Sequence, residues 1–201
     1  MMSERIETLL NELESIKMKL KEEIEEQERH ISYEVHNGCV KFQNDVIEKQ
    51  KKNMKHLFSW FKDIPLLHLL SSPLVYAMVI PALFLDLMLY IYQKVVFAIY
   101  KFKPIKRSDY IVFDRQYLAY LNPIEKINCL YCSYFNGLMQ YASAIAGRSE
   151  LYFCPIKHAK KMAYAHKHYY EFFAYGDEVD YQERLETLRK HSKDNDADKK
   201  R

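Results

Sequence analysis

The chain has 201 residues, the length of one domain or slightly more, which excludes a large multidomain enzyme. Thirty Lys and Arg against 27 Asp and Glu leave a net charge of +3, too balanced for a nucleic-acid binder acting by bulk electrostatics. Only 4 glycines and 6 prolines occur, which starves a β-rich or dinucleotide-binding fold of turns and suits long helices, so the expected fold class is all-α.

Residues 3 to 36 place Ile6, Leu9, Leu13, Ile16 and Leu20 at spacings of three and four and continue through Ile24, Ile31 and Val35. This is a helical seam. It suits either a coiled coil that pairs two copies of the chain or a solvated helix that packs within its own chain. Glu23 and Gln27 interrupt it. Asn37 and Gly38 supply a stop. A second amphipathic stretch, Val40 to Phe61, carries Lys41, Lys49, Lys51, Lys52 and Lys55 and ends in Leu57, Phe58, Trp60 and Phe61. That mixture of lysine and aromatics settles at a membrane interface.

From Ile64 to Leu85 the chain has 22 residues without a charged side chain, and as a helix they would span about 33 Å, close to the thickness of a hydrocarbon core. Residues 49 to 63 hold five basic side chains (Lys49, Lys51, Lys52, Lys55, Lys62) and residues 94 to 107 hold five (Lys94, Lys101, Lys103, Lys106, Arg107). The positive-inside rule therefore picks no direction, as for a segment whose two ends share one side. Pro73 and Pro81 each remove an N–H and bend a helix. Three shapes remain open: a re-entrant or monotopic hairpin, a single span, and a buried core helix. Asp86 is the one acid inside the apolar region. An acid at that depth marks function unless headgroups or a helix start solvate it. His68 reads as interfacial.

Cysteines stand at 39, 129, 132 and 154. The first residues, MMSERIETLLNELE, lack a basic, then apolar, signal pattern, so no secretory leader is expected and the thiols are read as cytosolic and reduced. Cys39 reads as a small packed residue, with palmitoylation as the alternative. Asn122, Pro123 and Glu125 announce a helix start, and the helix is expected to stop near Gly147. A second helix is expected from Cys154-Pro155, with Cys154 as its N-cap, and to run to Gly176. The pattern C-x2-C, 21 residues, C-x3-H then offers Cys129, Cys132, Cys154 and His158 as a tetrahedral set for structural zinc, the helix start favouring the Cys154 thiolate. An iron or iron–sulfur centre, a thiol redox pair, a Cys154 nucleophile with His158 as its base, a Cys-Pro haem ligand and plain buried cysteines are the competing readings. His166 and His168, two apart, would diverge on a helix and not share an ion. Asp177 is expected to cap a last helix ending near His191, followed by a disordered tail.

The segments IEKINCLYCSYFNGLMQY and ELYFCPIKHA resemble a widespread family of bacterial membrane-associated proteins to which no activity is assigned. The family pattern joins Asp86-Leu87 to Phe113-Asp114-Arg115, Tyr120-Leu121-Asn122, Glu125-Lys126, Asn128-Cys129 and Cys154-Pro155-Ile156-Lys157-His158. The resemblance covers roughly residues 70 to 160. It departs at Phe153, where family members usually carry tryptophan. The resemblance supports the metal site and implies little about activity.

The expected organisation is a helical arm (1–62), a membrane-embedded segment (63–100), a helical metal-binding domain (101–191) and a tail (192–201). The expected function is a scaffold or interaction protein at the cytoplasmic membrane, with its metal-binding domain on the cytoplasmic side, the bilayer as partner, a possible second copy through the N-terminal helix, and no nucleic acid. The alternative is a membrane enzyme or redox carrier using Asp86, Asp114, Arg115 and Glu125 near the bilayer.

Overall fold

The computed structural model describes residues 4–28, 33–36, 39–42, 44–57, 59, 62 and 64–198. Ile31, Asn37, Gly38, Phe58, Trp60 and Phe61 lie outside the described residues, as do residues 199–201. The regular elements of the described chain are helical apart from one β-hairpin. Helix α1 (Glu4–Glu28) carries the predicted seam, and Leu9, Leu13, Ile16, Leu20 and Ile24 are all exposed.

Strands β1 (Tyr33–His36) and β2 (Cys39–Phe42) pair antiparallel, Tyr33 opposite Phe42 and His36 opposite Cys39. This corrects the helix expected through Val35 and the one expected from Val40. Tyr33 and Val35, like Val40 and Phe42, alternate with period two, and the dipeptide between the strands is Asn-Gly, which favours two-residue hairpins. Helix α2 follows and is short (Asn44–Lys52).

Helices α3 (Leu66–Ala77) and α4 (Val79–Tyr100) form one apolar rod of 35 residues, about 52 Å long. Pro81 has no N–H for the Ala77 carbonyl, and the regular pattern lapses only at Met78, whose backbone stays right-handed (φ −62, ψ −14). The prolines thus interrupt the rod without folding it back, so a hairpin turn within residues 66–100 is not formed. At the far end Lys101 is left-handed (φ 59). Its N–H and that of Phe102 return to the carbonyls of Ala98 and Phe97, and Phe102 packs its ring on Phe97 at 5.3 Å. These are the bonds and the apolar contact of a Schellman stop, made without glycine.

Residues 101–122 run back along the rod as an extended strap with short 3-10 turns at Arg107–Asp109 and Arg115–Tyr117. The Gln93 amide clamps the strap from both sides, donating to the Ile105 carbonyl (3.1 Å) and accepting from the Ile105 N–H (3.0 Å). Near its end the Ala119 N–H donates to Gln50 of α2 at 2.9 Å. Helix α5 (Pro123–Phe153) then runs in the same direction as α4, since Asp86 meets Tyr134, Tyr92 meets Ser149 and Tyr100 meets Tyr152. The predicted capping box is present. Asn122 Oδ1 accepts from the N–H groups of Ile124 and Glu125, and Glu125 accepts from the Asn122 N–H.

The core sits between α4, the strap and α5: Ala82, Phe97, Phe102, Ile111, Leu138, Tyr141 and Ile145 are buried together. Gly137 makes the closest approach possible, because a Cβ there would lie 2.5 Å from the Tyr110 carbonyl oxygen and 2.9 Å from the Ile111 Cα. Gly147 was expected to stop α5 and instead lies inside it. Its missing side chain makes room for the His166 ring, 2.6 Å from where a Cβ would stand. The helix stops at Phe153, just before Pro155, which disfavours a helical Cys154 (φ −151, ψ 66).

The helix expected from Cys154 to Gly176 is not formed. That segment is irregular, holds one 3-10 turn (Lys167–Glu171) and one bridge between Ile156 and Phe173, and packs back on α5. Helix α6 (Tyr181–Asp198) closes the fold and extends beyond His191, where its end was expected. Asp177 stands before it and pairs with Arg184 at 2.9 Å.

Candidate functional site

The rod has two faces of opposite character. On α4, Ala82, Leu85, Leu89, Tyr92 and Phe97 face the core. The other side exposes Ile80, Phe84, Leu87, Ile91, Val95 and Ile99 at steps of three and four, one continuous stripe of a helix. Helix α3 exposes apolar side chains all round, Leu66 at 70%, Leu67 at 77%, Leu70 at 67% and Leu74 at 75%. Seventeen large apolar residues between Leu66 and Ile99 are exposed. Covering them is worth on the order of 15 kcal/mol, as much as the whole stability of a typical domain. This is the one described helix long and apolar enough to cross a membrane, and only 6% of its most apolar window is buried. A core helix is excluded by that exposure.

Asp86 lies on the edge between the two faces and is neutralised from the strap. Arg107 donates to it through Nε (3.1 Å to Oδ1) and Nη2 (2.7 Å to Oδ2), and the Tyr134 hydroxyl of α5 donates to Oδ2 at 3.0 Å. The Asp86 side chain is 17% exposed and that of Arg107 46%. Burial, and then the hydrogen bond to the Asp86 carboxylate, push the Tyr134 phenol above its ordinary value, which keeps it a donor. Fork-shaped pairing of this kind is what a guanidinium offers a carboxylate. Asp86 therefore ties rod, strap and α5 together. Sequence reasoning singled out Asp86 but missed Arg107 and Tyr134, which reach it only because the strap turns back.

The four proposed metal ligands fall into two separated pairs. Cys129 is half-buried and Cys132 exposed, both in the early turns of α5, while Cys154 is exposed at its C-terminal cap and His158 is exposed beyond it. The 22 helical steps between Cys132 and Cys154 separate the pairs by about 33 Å. Among the described residues no three His, Cys, Asp or Glu side chains gather to hold a metal ion. The single four-ligand centre expected from the spacing is not brought together within one chain, because α5 does not end at Gly147 and no second helix turns back from Cys154. Nor does Cys154 have the helix N-terminus expected to favour its thiolate; it sits at the carbonyl end.

The remaining candidates are engaged elsewhere. Glu125 serves the cap, and Asp114 and Arg115 are exposed at a 3-10 turn. His166 pairs with Glu150 and His168 with Glu171, each at 2.9 Å, so the two imidazoles have separate carboxylates although no α-helix holds them apart. His68 is exposed on α3, its carbonyl accepting from the hydroxyls of Ser71 and Ser72. No family model, no curated protein and no solved structure matches this chain.

Proposed function

We propose that the protein is a monotopic membrane-associated scaffold whose α4 lies along the bilayer surface with its outer stripe among the acyl chains. The observation that carries this reading is the two-faced α4, packed on a folded body along one side and apolar and exposed along the other. Were the rod to stand upright with Tyr100 at the headgroups, Asp86, fourteen residues on, would be about 21 Å deep. Arg107, half-exposed beside it, would be carried to the same depth with the charged strap, at a cost of several kcal/mol. Lying flat keeps the strap at the headgroups. Helix α3, continuous with α4, lies in the surface with it, its end held to α5 where Tyr76 meets Asn128 and the Tyr131 hydroxyl donates to the Val75 carbonyl. The exposed seam of α1 supplies a surface for a partner helix, a second copy of the chain being the occupant that its Leu and Ile spacing suits.

The test is flotation of the purified full-length chain with phospholipid vesicles, followed by extraction with alkaline carbonate. The chain is expected to float with the vesicles, and Phe84→Glu combined with Ile91→Glu, on the outer stripe, is expected to release it while leaving its helicity unchanged. Retention of the double variant on the vesicles would contradict the reading.

A further inference from the structure

We infer that a recess on the edge of α4 is a binding site for the phosphodiester headgroup of an anionic glycerophospholipid. The inference rests on the monotopic reading and names the lipid. Leu87 of the outer stripe, with Leu83 and Tyr90 beside it, forms one wall of the recess, Ile105 and Arg107 of the strap form the other, and Lys94 also lines it. The apolar wall is continuous with the surface assigned to the acyl chains, so a lipid lying there has its tail along Leu83 and Leu87 and its headgroup at the strap.

The charge of the recess fits that ligand. Asp86, its one acid, is already matched by Arg107, and Arg107 engages it through Nε and Nη2 only. The Lys94 ammonium stands 5.7 Å from the Tyr90 ring, exposed at the border of the stripe, where a lysine stem lies on apolar surface and its head reaches phosphate. Lys101 and Lys106, both exposed on the strap, extend the cationic edge. A phosphodiester brings the negative charge and acceptor oxygens that this edge lacks. A zwitterionic lipid brings a choline or amine as well, which the same cations repel.

The experiment compares binding of the full-length chain to vesicles of phosphatidylcholine alone and of phosphatidylcholine with phosphatidylglycerol, at fixed salt. Wild type is expected to prefer the anionic vesicles by roughly a hundredfold, from about fivefold for each of Lys94, Lys101 and Lys106 at the surface. Lys94→Glu is expected to cut that preference by at least tenfold while binding to phosphatidylcholine persists. Lys160→Glu, an exposed lysine beyond α5, is expected to change it little. An equal loss with Lys160→Glu would replace the recess by bulk attraction and overturn the site. Equal affinity for the two vesicles would overturn the site and leave the monotopic reading standing. Failure to bind either vesicle would overturn both. Excess soluble glycerol phosphate is expected not to displace the chain; full displacement would make a soluble phosphoester the ligand and overturn the lipid assignment.

Discussion

At Asp86 the two partners of one ion pair are unequally placed, and their removal should cost unequal amounts. Arg107, nearly half-exposed, can turn to water if Asp86 is lost, and Asp86→Asn still accepts from Tyr134, so that variant is expected to lose about 1 kcal/mol. Arg107→Ala leaves a mostly buried carboxylate without its cation and is expected to lose about 2–3 kcal/mol, discounted from a fully buried pair because Arg107 is partly wet. Urea denaturation of both variants checks the order, and a larger loss for Asp86→Asn would contradict the account. The cysteines make a second case at this scale. With the pairs some 33 Å apart, Cys154→Ser is expected to leave unchanged whatever zinc the Cys129 and Cys132 pair retains, as metal analysis of the purified chain would show. Loss of that zinc on Cys154→Ser would restore the four-ligand centre.

At the scale of elements, local signals were legible and returning ones were not. Asn122, Pro123 and Glu125 act on residues two and three away, so the start of α5 could be read directly, and Asn122→Ala is expected to lose about 1–2 kcal/mol in thermal unfolding. Cys154-Pro155 was ambiguous in kind, because a proline that can open a helix also ends the one before it. Gly147 read as a stop, yet its reason is the His166 ring, nineteen residues on and invisible to any local window. The Asn-Gly hairpin signal was present and was outweighed by a seam that happened to continue through Val35. Gly137 gave no sequence sign at all. Gly137→Ala is expected to lose about 2 kcal/mol or more despite alanine's helix preference of about 1 kcal/mol, since backbone on the strap blocks the methyl group. Gly147→Ala meets a side chain that can move, and a smaller loss is expected.

At the scale of the molecule, the strap and α5 bury phenols against a rod that has only one side of its own to bury. Tyr110, Tyr134 and Tyr141 are all raised above the ordinary 10.0, chiefly by burial. The folded chain holds these protons where the unfolded chain releases them. Their contribution to stability is therefore complete below about pH 10 and is lost as the pH climbs through the raised values. Denaturation in urea at about pH 9 and about pH 11 should show the lower stability at the higher pH; equal stabilities would contradict the burial of these three groups. The helical class and the apolar rod were legible because composition and a long uncharged run suffice for them. Which faces of the rod the rest of the chain covers was not legible, because the strap and α5 reach it only after the chain turns back.

The orientation of α4 is measured most directly by tryptophan scanning against lipids brominated at known depths, with Trp60→Phe removing the one native tryptophan. Leu83→Trp, Leu87→Trp, Ile91→Trp and Val95→Trp sample the exposed side of α4 over twelve residues. A helix lying in the surface places all four indoles at one shallow depth. A depth that changes steadily along the series, by about 18 Å from first to last, would show a crossing helix and contradict the monotopic account.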